Sequence, residues 1–223
     1  MDGIRMLAIK KFPNKQGRLL QNSTRLSFAL IMGFVFLFLI SPDMIFAHDS
    51  TTVERFGSFI GGLAHPILGL DHLLAMLSVG IVSAQIGGRA VWTIPTTFVV
   101  VMALGGLLGL MGVGFIAVEV GIALSVLALG LVILAKQSIP VYVVMVAVGL
   151  FAVFHGYAHG AEMPDIAQPI RYALGFLTAT AIIHIAGVLI GDIPGHYKYG
   201  PIVLRVLGGV IAVFGALFLV GVL

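Results

Sequence analysis

His65-Pro66-Ile67-Leu68-Gly69-Leu70-Asp71-His72-Leu73-Leu74-Ala75-Met76 sets two imidazoles and a carboxylate at the mouth of an apolar helix. Pro66 disfavours helical geometry at His65, and Gly69 lets the backbone turn. The stretch therefore reads as a break followed by a helix over about 69–85. Upstream, residues 51–64 are mildly apolar but too short to span a bilayer, which takes about 20 residues. They predict a short helix or a re-entrant piece. Downstream come apolar segments at about 92–111, 115–135, 139–158, 170–190 and 201–222.

With 60% hydrophobic and 9% charged residues among 223, the chain cannot cover a water-facing surface. About a quarter of a soluble domain is charged. The fold class is all-α integral membrane, because backbone groups in lipid must be satisfied within the span. The formal charge of +3 is no nucleic-acid signature. Half of the basic residues, Arg5, Lys10, Lys11, Lys15, Arg18 and Arg25, precede the first apolar run at 26–40. A basic region, an apolar run and Ala47 before a polar stretch read as a signal peptide. Ile45, in the third position before the cut, is larger than that site prefers, and an uncleaved anchor is the alternative. The expected division is residues 1–47 as signal and 48–223 as one transmembrane domain. That gives six transmembrane helices, or seven if the signal is retained. There is no cysteine, so thiolate metal sites and disulfides are excluded.

With the mature N-terminus outside, the inner loops carry Arg89, Lys136 and Lys198. The outer loop after the fourth helix carries Glu162 and Asp165, with Arg55 and Arg171 as the outer exceptions. The pattern fits the positive-inside rule. Three helices over about 69–135 are followed by three over 139–222, so the second half would be inverted across the bilayer. Each half opens on a histidine-and-acid helix, as an inverted 3+3 repeat with a site at the repeat interface would.

The second such stretch is Phe154-His155-Gly156-Tyr157-Ala158-His159-Gly160-Ala161-Glu162-Met163-Pro164. His155, His159 and Glu162 fall at i, i+4 and i+7, on one helical stripe. Both stretches come out at the outer end, as does Glu119 near the start of the third helix. Asp71, beside His72, would ligate directly or fix the tautomer of a histidine. His184 lies about 20 Å along the fifth helix, a deeper station; its plainer role is hydrogen bonding between helices. The plainer role of Glu119 is pairing with a histidine or a backbone group. His48 is either a solvated residue or, after cleavage at Ala47, an N-terminal ligand offering imidazole and amine together. Imidazole and carboxylate without thiolate suit Ni²⁺, Co²⁺, Zn²⁺ or Cu²⁺.

The motif His65-Pro66-x-x-Gly69-x-Asp71-His72-x-x-Ala75-Met76 resembles the signature of the HupE/UreJ family of nickel/cobalt transporters. His155-Gly156-x-Ala158-His159-Gly160-x-Glu162 and Glu119-Val120-Gly121-Ile122-Ala123-Leu124-Ser125 are similar to further segments of that family. The resemblance implies a multi-pass protein of the bacterial inner membrane that brings Ni²⁺ or Co²⁺ into the cytoplasm. It also implies a link to hydrogenase, urease or cobalamin maturation. His65, Asp71 and His72 would then be the most critical residues, followed by His155, His159 and Glu162. The expected mechanism is a secondary permease whose cargo passes inward by Glu119 and then His184, with no bound cofactor. The partners are the divalent ion and the bilayer. The alternatives are a zinc-dependent membrane hydrolase with Glu162 as base, or a metal-binding accessory protein with no flux of its own. Mass analysis of the protein purified from membranes should find His48 at the N-terminus; a retained Met1 would make it a seven-helix protein.

Overall fold

The computed structural model describes residues 51–135, 139–192 and 196–223; the expected signal segment, 1–47, and His48 lie outside them. Eight helices follow in order: α1 (Thr51–Phe56), α2 (Ser58–Leu68), α3 (Leu70–Ile86), α4 (Ala90–Leu110), α5 (Val118–Ala135), α6 (Val141–Ala161), α7 (Pro169–Asp192) and α8 (Gly200–Leu219). No strand occurs among the described residues. The five apolar segments expected after residue 90 are α4 to α8, each long and apolar enough to cross a bilayer. The pair α2 and α3, bent by 79°, is apolar enough to count as a sixth if it crosses as one broken span.

The break differs in position from the sequence expectation. His65 and Pro66 both lie inside α2, and the chain turns only at Gly69, which is extended at φ −77°, ψ 105°. Two contacts outweigh the local cost of Pro66. The Gly69 N–H donates to the His65 carbonyl at 3.0 Å, closing the last turn. Gly62 and Gly175 let α2 lie directly on the backbone of α7, near Tyr172 and Phe59. A side chain at either glycine would push the two helices apart.

Glycine contacts set the other helix pairs as well. Gly105, Gly106 and Gly109 of α4 face Gly156 and Gly160 of α6, backbone to backbone. Gly80 of α3 meets Gly187 of α7, and Gly130 of α5 meets Gly208 and Ala212 of α8. Lipid offers no hydrophobic drive for helix association, so close van der Waals packing of small residues supplies it. These three pairs, α4 with α6, α3 with α7 and α5 with α8, are the most extensive helix contacts among the described residues. Exchanging α3, α4 and α5 for α6, α7 and α8 maps this set of pairs onto itself, which is the pairing an inverted repeat requires. The halves are not identical: among the described residues the second has no counterpart of α2 or of its sharp bend.

Polarity is sorted from inside to outside. Val100, Leu104 and Leu107 of α4 and Val146 and Leu150 of α6 are exposed. Ser78, Ser83, Ser125, Thr180 and five histidines are buried. Trp92, Tyr142 and Tyr199 are exposed at the starts of α4, α6 and α8, all at one end, as interfacial anchors should be. The arginine Nε of Arg205 donates to the Leu134 carbonyl at 3.1 Å and ties α8 to α5 near that end. The other end carries His65, His72, His155 and His159.

A β-carbon at Gly156 would collide with the Met102 carbonyl, whereas one at Gly114 meets nothing within 4 Å. Gly156→Ala should destabilise the detergent-solubilised protein by about 1–3 kcal/mol, the usual cost of overpacking. Gly114→Ala should leave its thermal midpoint unchanged.

Candidate metal site

The site is built where the bend at Gly69 meets the end of α6. Gly69 leaves room for the turn: a β-carbon there would stand 3.2 Å from His72 Nδ1 and 3.3 Å from Asp71 Oδ1. Asp71 occupies the first turn of α3, where the helix dipole favours a carboxylate. One of its oxygens, Oδ1, accepts from both the backbone N–H and the ring Nδ1 of His72, each at 2.8 Å. An ionised carboxylate only accepts, so His72 carries its proton on Nδ1 and presents a bare Nε2 lone pair. That is the arrangement by which an acid fixes the tautomer of a metal-binding histidine.

His155 is held the same way by different means. Its Nδ1 lies 2.9 Å from the Phe151 carbonyl, one turn earlier in α6. A carbonyl cannot donate, so Nδ1 carries the proton and Nε2 is bare. His159, one turn on, has no hydrogen-bond partner on either ring nitrogen among the described residues. Its ring stacks on Phe176 of α7 at 4.8 Å and 16°, which fixes the plane without occupying the nitrogens.

The 79° bend brings α2 over this position. His65 and His72, whose shared geometry the sequence left open, have ring centroids 5.9 Å apart. His159 lies 4.8 Å from His65 and 4.7 Å from His72. One ligand atom from each of His65, His72 and His159 lies within 4.8 Å of the others. An ion holding imidazoles at about 2.1 Å spaces its donors about 3 to 3.5 Å apart, so small side-chain rotations suffice for one ion to bind all three. The three residues come from α2, α3 and α6 and are at most 5% exposed.

Two acids form the rim. The side chain of Asp71 is 35% exposed and that of Glu162 is 32% exposed. Glu162 is the C-cap of α6 rather than part of its last turn, and its Oε2 stands 3.7 Å from His65 Nε2. A cavity of about 280 Å³ reaches His159 from the side, walled by Leu110, Met163, Pro169, Tyr172 and Phe176. A single water takes up about 30 Å³ in the liquid, so the cavity is roomy on that scale.

The remaining sequence candidates fall elsewhere. His155 lies one layer below the three-histidine group, 5.2 Å from His72 between ring centroids. His184 is deeper still and only 2% exposed, with both ring nitrogens lacking a hydrogen-bond partner among the described residues. The helix-to-helix hydrogen bond that would explain it plainly is therefore not what holds it. Glu119 sits in the first turn of α5, exposed, and does not belong to the three-histidine group. An inward route by Glu119 and then His184 is not what the geometry suggests, because Glu119 lies on the surface at the histidine-bearing end. Tyr172, Phe176 and Phe98, which touch the histidines, were not among the sequence candidates. A signal for the first two was present: Tyr172, Phe176, Thr180 and His184 recur every four residues, one stripe of α7.

The sequence pattern of the family described as "HupE / UreJ protein" matches residues 35–218 of this chain. A curated relative, "Protein HupE" of Rhizobium leguminosarum bv. viciae, is 45% identical over 175 residues, spanning 78% of this chain and 91% of its own length. No solved structure matches. The chain, a multi-pass helical membrane protein, therefore belongs to the HupE/UreJ family.

Proposed function

We propose that this chain is a secondary permease that carries Ni²⁺ or Co²⁺ across the bacterial inner membrane into the cytoplasm. One observation carries the reading: three imidazole donors from three helices lie within 4.8 Å of one another inside a membrane-spanning bundle. Neutral imidazole suits borderline divalent ions, whereas magnesium and calcium prefer oxygen ligands. The partly exposed Asp71 and Glu162 would draw a hydrated cation to the rim, and the buried imidazoles would replace its water. His155 and then His184 continue the line inward. His48, freed by cleavage after Ala47, would add a ligand at the outer mouth, and Glu119 would act as an outer charge.

The mature N-terminus and the three-histidine group are assigned to the outer face, with the signal peptide and the basic inner loops as the support. The membrane potential then favours inward movement of a dication by about 4.6 kcal/mol per 100 mV. The metal delivered would serve hydrogenase, urease or cobalamin maturation, as the resemblance implies. A zinc hydrolase is the weaker reading. Its water-activating base would be Glu162, 3.7 Å from His65, but the buried His155 and His184 below the site would have no use in it.

Liposomes holding an internal nickel- and cobalt-responsive dye test the proposal. Saturable metal uptake is expected, lost in His72→Ala. Asp71→Asn should weaken it about 10- to 100-fold, the usual effect of removing the partner of a metal-binding histidine. Tight zinc retention without uptake would overturn the permease. The ligands bind metal only when unprotonated, so protons compete with it. Uptake should therefore weaken on acidification, and a rate independent of pH would count against imidazole ligands.

A further inference from the structure

Below the three-histidine group, the interior holds an aromatic ring in contact with two histidines. Phe98 of α4 is 0% exposed. Its ring centroid lies 5.4 Å from His155 above and 5.1 Å from His184 below, edge to face in both cases. His155 presents its bare Nε2 in this region, and neither nitrogen of His184 has a hydrogen-bond partner among the described residues. The ring that touches both is apolar and can take no coordination bond from either side. Ile94 and Met102, one turn to each side of Phe98 on α4, are also 0% exposed. The Thr180 hydroxyl donates to the Phe176 carbonyl at 2.8 Å, so it is engaged within its own helix.

The helix that carries Phe98 is locally softened. Pro95 lies inside α4, three residues before Phe98, and has no N–H to return to the Val91 carbonyl. The Thr97 hydroxyl bonds the Thr93 carbonyl at 2.7 Å, a contact that favours bending. Sharp bends in membrane helices concentrate at proline. The first turns of α4 can therefore swing while Gly105, Gly106 and Gly109 keep its far half locked on α6.

We propose that Phe98 is the gate of the pathway, a dry barrier that separates the outer histidine group from an inner ion station at His184. The inference rests on the permease reading and adds to it the residue that keeps the two stations apart. In the closed state the phenyl ring blocks hydrated ions, because an apolar constriction of this kind excludes water. Bending of the first turns of α4 at Pro95 loosens the packing beside Phe98, whose ring then turns about its own side-chain bonds and lets a metal ion pass from His155 to His184. The barrier also sets selectivity: an ion must exchange water for imidazole to pass, which Mg²⁺ does reluctantly.

The chain contains no cysteine, so a single thiol can report on each side of the ring. In His184→Cys, a membrane-impermeant thiosulfonate added at the histidine-bearing face should react slowly while Phe98 is present. Phe98→Ala in the same background should speed that reaction at least tenfold, and Phe98→Leu should keep it slow. Phe98→Val carries the same reading if the alanine variant does not reach the membrane. In the chain with His184 intact, Phe98→Ala should also admit Mg²⁺ into liposomes that otherwise exclude it. Equal labelling rates with Phe98 and with alanine would overturn the gate and assign Phe98 to core packing. The labelling readout needs no metal flux, so the two readings fail separately. Wild-type liposomes that take up neither Ni²⁺ nor Co²⁺, together with faster labelling in Phe98→Ala, would retain the barrier and overturn the permease. Wild-type uptake with unchanged labelling would overturn the gate alone.

Discussion

Five imidazoles, those of His65, His72, His155, His159 and His184, are buried in a bundle whose outer surface is apolar. An unpaired polar group away from water costs on the order of 1–3 kcal/mol, and the bilayer core offers no water to relieve it. The bundle is arranged so that this cost is met only in part. Asp71 and the Phe151 carbonyl each satisfy one nitrogen of a histidine, and each leaves the other nitrogen free. Ring nitrogens of His65, His72 and His159 come within 4.8 Å of one another across helices, which is a poor way to gain stability and a good way to bind a cation.

The glycine contacts follow from the same constraint. Imidazole nitrogens from α2, α3 and α6 come within 4.8 Å only if the helices behind them pack at backbone contact. Gly62 and Gly175 bring α2 onto α7, and the glycines of α4 and α6 do the same for the helix that carries His155 and His159. Aromatic rings pack against the imidazoles: Phe176 holds His159 from one side, and Phe98 touches both His155 and His184. The small residues set the backbones, and the large rings set the imidazoles. Polar groups thus run in a line from the partly exposed Asp71 and Glu162 to the fully enclosed His184, an order in depth that a single closed cage would not need.

Much of this was legible in the sequence. Composition and apolar run length determined an all-helical membrane protein, because lipid leaves the backbone few ways to satisfy itself. Segment ends were legible to within about three residues, where glycine, proline or charge interrupts the runs. The two histidine-and-acid stretches were visible as candidates because ionisable groups in apolar helices are rare and costly. Spacing alone put His155 and His159 one turn apart on α6, and the count of spans brought both stretches to the same end.

Tertiary structure decided what spacing could not. Local rules break the helix before Pro66; packing of α2 on α7 carries it on to Gly69, and that shift, with the 79° bend, brings His65 over His72 and His159. Glu119 and His184 looked alike in sequence, each a lone ionisable group in an apolar helix, yet one lies on the surface and the other in the core. Which phenylalanine of fifteen touches two histidines was not readable at all. Periodicity determines the direction a side chain takes from its own helix, whereas its neighbour is determined by how that helix rotates and slides against the others, and those contacts are non-local.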